Sequence, residues 1–281
     1  MEKNWTEQIL ILAKTYPSPS AQYTETSCIA GINRDGQMRR LYPVPFRLLQ
    51  DKQKFKKWQW IEARVEKSSN DHRQESHKLY VDTITCIGEV KPQKGWADRI
   101  VWLDRIPTFD CFDDIAKATE TEHSLSLALL RPKALRKLEI VPAPNPEWTK
   151  EEKDKLLREQ LQGSLFSSED DGKRRLKELR KMPFDFYYHY VCDTPVGETP
   201  YKHKIIDWEA CMLFWNCKRS HGSGWEKPFR DKLERELGGR DLMFLMGNQH
   251  RFQYQWLIIS LIYPPKQQEP SPTERAQGTL F

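Results

Sequence analysis

The sequence predicts an α+β protein in two parts, a small β-barrel-like domain followed by a smaller mixed sheet-and-helix unit. Three observations lead there. Short apolar or alternating runs, separated by turn residues, crowd the region before residue 90, as in a small, partly closed barrel. Two near-continuous apolar runs, residues 241–246 (DLMFLM) and 256–263 (WLIISLIY), read as neighbouring central strands. Charged segments with helical character lie between these regions.

Residues 9–13 (ILILA), closed by TYPSPS, form a buried strand. Residues 26–33 (TSCIAGIN) form a second, Asp35-Gly36 turns, and residues 38–44 (MRRLYPV) return as a third. Pro43 and Pro45 keep the end of that strand off a central ladder position. Residues 58–67 (WQWIEARVEK) and 79–87 (LYVDTITCI) bring the count to five. A short helix is expected over 110–117, and residues 125–141 end in a strand suited to close the barrel. The barrel domain is therefore placed at residues 1–148.

Thr149 and Glu152 fit a capping box for a charged helix running to about residue 162, and KRRLKELRK forms a second basic helix. Residues 149–182 thus read as a charged helical connector. The α+β unit, 183–266, starts with an aromatic strand over 184–191. A turn-rich loop, a short strand at Ile205-Ile206 and a helix over 208–218 follow, with Asp207 as N-cap. A further helix over 225–237 stops at Gly238-Gly239. Residues 267–281 are polar and Pro-containing, the composition of a flexible tail.

The 281 residues are 38% hydrophobic and 30% charged, with a net charge of +5. This is a globular composition, and its mildly basic balance permits a nucleic-acid partner without requiring one. No apolar run approaches the roughly 20 residues of a membrane helix, and the N-terminus lacks the features of a signal peptide. Six scattered cysteines then imply reduced thiols in a cytoplasm. Phosphate loops, dinucleotide fingerprints, nucleophile elbows and HExxH are all missing. No cofactor is indicated.

Four constellations are candidates for function. Cys192, His203, Cys211, Cys217 and His221 supply zinc-type ligands, but no CxxC or HxxxH pair occurs, and small core cysteines are the plainer reading. Asp71, Arg73, Glu75 and His77, with Lys14 and Arg47, offer carboxylates beside bases, although a charged run between strands is ordinarily a solvated loop. Arg39, Arg40, Arg47, Lys54, Lys56 and Lys57 are interleaved with Tyr42, Phe46, Phe55, Trp58 and Trp60, a pattern that neutralises phosphates and stacks on bases. An alternating strand nevertheless buries at least some of those aromatics.

The fourth is the C-terminus, Gln277-Gly278-Thr279-Leu280-Phe281, with a near copy at residues 162–166 (QGSLF). Both resemble the Gln-x-x-Leu-Phe peptide through which bacterial replication and repair proteins dock on the sliding clamp. Two adjacent apolar anchors and a glutamine amide on a polar tail suit a preformed cleft. Separately, RLYPVPFR (40–47), NDHRQES (70–76), HKIIDWE (203–209) and WLIISLIYPP (256–265) are similar to segments of an uncharacterised prokaryotic family, across nearly the whole chain. That resemblance implies a second cysteine between Cys192 and His203. VGETPYK stands there instead, which counts against zinc.

The sequence therefore points to a cytoplasmic, DNA-associated accessory protein. Its barrel would bind DNA or RNA through Arg39, Arg40, Arg47, Lys56, Lys57 and Trp58. A clamp tether would use Gln277, Leu280 and Phe281. The alternatives are a metal-dependent nuclease or hydrolase drawing on Asp71, Glu75, His203, Asp207 and Glu209, and a non-catalytic scaffold.

Overall fold

Both faces of the first strand are apolar, and this sets the architecture. The structure is a computed structural model and describes residues 3–19, 25–122, 125–152, 154 and 180–266. In β1 (Asn4–Lys14), Ile9 and Ile11 point into a barrel while Leu10 and Leu12 point out into a second core. A strand of period two with two buried faces reads as the unbroken run ILILA.

β1 pairs antiparallel with β3 (Glu25–Asn33) on one side and β5 (Gln59–Lys67) on the other. The two-residue β2 (Ser18–Pro19) adds to β3. The chain turns at Gly36, whose φ of +84° favours glycine, into β4 (Met38–Val44). β4 runs parallel to β6 (Ser76–Leu79), which is antiparallel to β5. The order β1-β3-β4-β6-β5-β1 closes a five-stranded barrel, and β7 (Thr85–Glu89) extends from β5. A closed Greek-key barrel with this order and a parallel contact between its third and fifth strands has the OB-fold topology. Gly31 allows β3 to approach β1, since a Cβ there would lie 2.4 Å from the Leu10 carbonyl oxygen. Ile29, Leu41, Ile61 and Val65 fill the interior with Phe46 and Phe55.

Residues 125–141 do not close the barrel, which corrects the expectation from sequence. They form β9 (Leu127–Leu130) and most of β10 (Ala134–Pro142), and both strands join a second sheet. All four β9 residues are buried, so it needs cover on both faces, as a central position between two layers provides. After the barrel come α1 (Ala97–Leu103), β8 (Thr108–Phe109) and α2 (Phe112–Glu122). β11 (Phe184–Thr194) and β12 (Gly197–Ile205) make a long hairpin where the sequence suggested a turn-rich loop. β13 (Met243–Asn248) and β14 (Trp256–Ile262) are antiparallel neighbours, as the two apolar runs predict. The sheet order is β10-β11-β12-β14-β13-β9-β8.

One face of this sheet carries α3 (Trp208–His221) and α4 (Glu226–Arg230), which widens into a π-helical turn over Asp231–Glu236. Phe186, Tyr188, Phe214, Trp225, Phe229 and Phe244 form an aromatic core there. The other face carries the barrel. Leu127, Leu129, Met243, Leu245 and Ile259 pack on Leu10, Leu12, Ala30 and Ile32. The two parts therefore share a core. An OB barrel commonly binds oligomers on the face of its second and third strands; here that face is largely covered by the second sheet.

Thr149 and Glu152 form the expected reciprocal cap, Thr149 N donating to Glu152 Oε2 at 2.8 Å and Glu152 N to Thr149 Oγ1 at 3.2 Å. The rest of the connector up to residue 179 (154 apart), both Gln-x-x-Leu-Phe copies and the tail from 267 lie outside the described residues. No helix among the described residues is long and apolar enough to cross a membrane.

Candidate functional site

A cleft of about 600 Å³ opens along the seam between the barrel and the second sheet. The end of β1 contributes Lys14, the loop before β5 contributes Lys56, Lys57 and Trp58, and the start of α1 contributes Trp96 and Arg99. From the other side come Asp207, Trp208 and Glu209 at the head of α3, and Leu261 and Tyr263 at the end of β14.

The cations here are held mainly by carbonyl oxygens and aromatic rings. Lys14 Nζ donates to the Phe55 carbonyl at 3.0 Å and lies 4.1 Å from the Phe46 ring centroid and 5.2 Å from that of Trp208. Burial draws its pKa down to about 8, against the pull of Glu209 and Asp207. Arg99 Nε donates to the Val90 carbonyl at 2.9 Å, and its guanidinium lies 4.7 Å from the centroids of both Trp58 and Trp96. Among the described residues, neither Lys14 nor Arg99 meets a carboxylate at salt-bridge distance. Lys57 Nζ donates to the Leu261 carbonyl at 2.5 Å and lies 3.6 Å from Glu209. Trp58 and Trp96 have φ of 65° and 75°, left-handed values that are costly for bulky residues and recur where function holds them.

Asp207 has a structural task in the floor. Its Oδ1 accepts from Ala210 N at 2.8 Å, as an N-cap should, and Oδ2 accepts from Leu261 N at 3.0 Å. The carboxylate thereby ties α3 to β14. Burial raises its pKa, partly offset by Lys57.

The six residues proposed for nucleic acid are divided by the fold. Lys56, Lys57 and Trp58 line the cleft. Arg47 lies beside it, 5.9 Å from the Trp208 ring and bonded to the Arg180 carbonyl. Arg39 is paired with Glu7 at 2.8 Å. Arg40 is buried, donating to Ser126 O at 2.7 Å and Oγ at 3.0 Å, with Glu75 at 3.7 Å.

The five residues of the nuclease alternative fall in three places. Asp71 and Glu75 face Arg73 and Arg40 at the Asn248 end of the β13–β14 ladder. Asp207 and Glu209 lie at its Leu261 end, roughly 13 Å away along the strand. His203 is enclosed by Tyr190 and Phe112, and burial lowers its pKa to about 4. Among the described residues, no three His, Cys, Asp or Glu side chains are grouped to hold a metal ion. The separation follows from the topology, because strand ends distant in space supply the residues.

Trp96, Arg99, Trp208 and Tyr263 are cleft residues that sequence reasoning missed. No local motif marks them, since they come from three separate places, the start of α1, the head of α3 and the end of β14.

Family models divide the chain at the boundary seen in the structure. Residues 5–105, the barrel with α1, match a domain of unknown function, DUF8758. Residues 108–279 match a second domain of unknown function, DUF8757. The chain belongs to the DUF8757 family. In this DUF8757 protein the cleft takes residues from both matched regions. A search of the curated proteins finds no match. Two solved structures show loose likeness. One is a replication protein A heterotrimer bound to single-stranded DNA, at 8% identity and a TM-score of 0.33. The alignment covers 99% of this chain and 52% of that chain, so the DUF8757 protein spans about half its length. The other is a deletion variant of the single-stranded DNA binding protein from Thermus aquaticus, at 11% identity and a TM-score of 0.23, covering 96% of this chain and 100% of that one.

Proposed function

We propose that this protein binds nucleic acid at the seam cleft. One observation carries the reading: Lys14 and Arg99 are held by carbonyls and rings, so their charge is left for an anion, beside the half-buried Trp208 and Tyr263 that line the same cleft. Exposed Lys56 extends the positive surface at the mouth. Of the arginines and lysines proposed from sequence, Lys56 and Lys57 line this site, and of the two only Lys56 is exposed, Lys57 being held by the Leu261 carbonyl and Glu209. Arg39 and Arg40 answer Glu7 and Glu75 instead.

The finer reading is a DNA-associated accessory protein held near its substrate by a C-terminal clamp peptide. Its support is the repeated Gln-x-x-Leu-Phe sequence ending in Leu280 and Phe281. A tether supplies effective concentration, so intrinsic affinity need not be high.

The test is fluorescence anisotropy of labelled DNA and RNA oligonucleotides over a salt series. Wild-type protein should bind with a salt-dependent affinity. Lys56→Glu and Lys14→Gln should each weaken binding several-fold and flatten the salt slope by about one phosphate's worth. Absence of binding at low salt sinks the reading. The tether is tested separately, by loss of sliding-clamp binding in Leu280→Ala/Phe281→Ala.

A further inference from the structure

The hairpin between β13 and β14 spends large aromatic surface on solvent. Residues 250–255 are all exposed, with Phe252 47% and Tyr254 75% accessible. Their ring centroids are 6.2 Å apart in an edge-on arrangement, and Arg251 and His250 precede them. Two neighbouring exposed aromatics with no core to fill are the parts of a stacking platform.

The tip is held in shape from below. Gln255 N donates to Phe252 O at 2.8 Å and Gln249 N to Gln255 O at 3.1 Å, closing the turn. Buried Asn248 donates through Nδ2 to Gln253 O at 3.1 Å. Arg73 reaches across from the barrel and donates through Nη1 to both Asn248 O and Oδ1 at 2.9 Å. Asp71 grips the same guanidinium through its Nη2 at 2.5 Å and accepts from Ser76 Oγ at 2.7 Å. A continuous chain of bonds thus runs from the barrel loop before β6 to the hairpin tip. It also cancels the nearby acid. Asp71 serves Arg73 and lies 3.9 Å from His250 Nε2, while Arg251 stands exposed next to Phe252 in the chain.

We infer that Phe252 and Tyr254 stack on unpaired bases of a single-stranded nucleic acid, with Arg251 beside its phosphates and Asp71, Arg73 and Asn248 acting as positioning residues. An arginine unpaired among the described residues, beside two exposed aromatic faces, matches a base-and-phosphate ligand better than an apolar peptide, which would leave that charge unanswered. This rests on the nucleic-acid reading above but names a second contact, at the other end of the seam, and a strand type.

The experiment is anisotropy of labelled oligo(dT), oligo(rU) and a duplex with the full chain, three hairpin variants and Lys56→Glu. Phe252→Ala/Tyr254→Ala should lose roughly tenfold in single-strand affinity for each ring removed, with duplex binding much less affected. Phe252→Trp/Tyr254→Trp should restore binding, while Phe252→Leu/Tyr254→Leu should not. Exposed positions leave the fold intact, and an unchanged thermal transition checks this. Wild-type single-strand binding that survives the alanine variant but fails in Lys56→Glu overturns this inference and leaves the cleft proposal standing. Retention in the leucine variant also overturns it, since simple apolar docking would then suffice. No binding by wild type overturns both.

Discussion

The two ends of the seam between barrel and sheet treat charge in opposite ways. At the β6 end three guanidiniums each have a carboxylate: Arg73 has Asp71, Arg40 has Glu75 and Arg39 has Glu7. The result is a latch that joins two layers. At the β14 end, Lys14 and Arg99 lean on the carbonyls of Phe55 and Val90 and on four rings. Lys57 pairs with Glu209 there, but among the described residues Lys14 and Arg99 have no carboxylate at salt-bridge distance. Pairing therefore separates charges that hold the protein together from charges available to a ligand, and counting basic residues in the sequence cannot make that distinction.

The largest expected effect is at the latch. Arg73→Ala strands the Asp71 carboxylate and the Asn248 oxygens, with a cost of about 3–5 kcal/mol in denaturant unfolding. An effect below about 1 kcal/mol would show that the latch is dispensable. Next is the tie between α3 and β14. Asp207→Ala removes a helix cap and leaves the buried Leu261 N–H without its acceptor, for about 2–3 kcal/mol by the same measurement.

His203 gives a pH test away from the seam. Its folded pKa of about 4 lies below the ordinary 6.5, so the unfolded chain takes up a proton that the folded chain refuses in that window. Stability should fall as pH drops from 6.5 toward 4, by something of the order of 2–3 kcal/mol from this group. His203→Phe should flatten that part of the profile.

The smallest effect sharpens the contrast most. Lys14 gives up its proton near pH 8 in the free protein. An anion favours the charged amine, so nucleic-acid affinity should decline a few-fold as pH rises through 8. Lys14→Gln should remove this dependence, read by anisotropy. Its stability sign is opposite to that of a paired lysine. Because the folded pKa is depressed below 10.5, wild type should gain stability between pH 8 and 10.5, where only the unfolded chain stays protonated.

Much of the fold was legible from local pattern. ILILA announced a buried strand, DLMFLM and WLIISLIY announced adjacent central strands, and Asp207 announced a cap. The errors had a common form. LSLALLRPKALRKLEIV was recognisable as strand-forming, but nothing local says which sheet it joins, and β9 and β10 went to the second. VGETPYK carries Gly and Pro, so it looked like loop, yet Gly197 to Lys202 pair with β11 across a tight turn and form a strand.

The candidate site was legible only in fragments. Lys57 donates to a carbonyl 204 positions away, Arg73 to one 175 away and Arg40 to one 86 away. The sequence alone determined the alternation of side chains, the caps, the turns and the α+β class, because these depend on neighbours within a few residues. Tertiary structure decided that the barrel face would be covered, that Arg40 would be neutralised, that Lys14 would be left over, and that Phe252 and Tyr254 would stand in solvent. Burial and pairing are properties of the partner across the seam, and that partner is chosen by the closing of the whole chain.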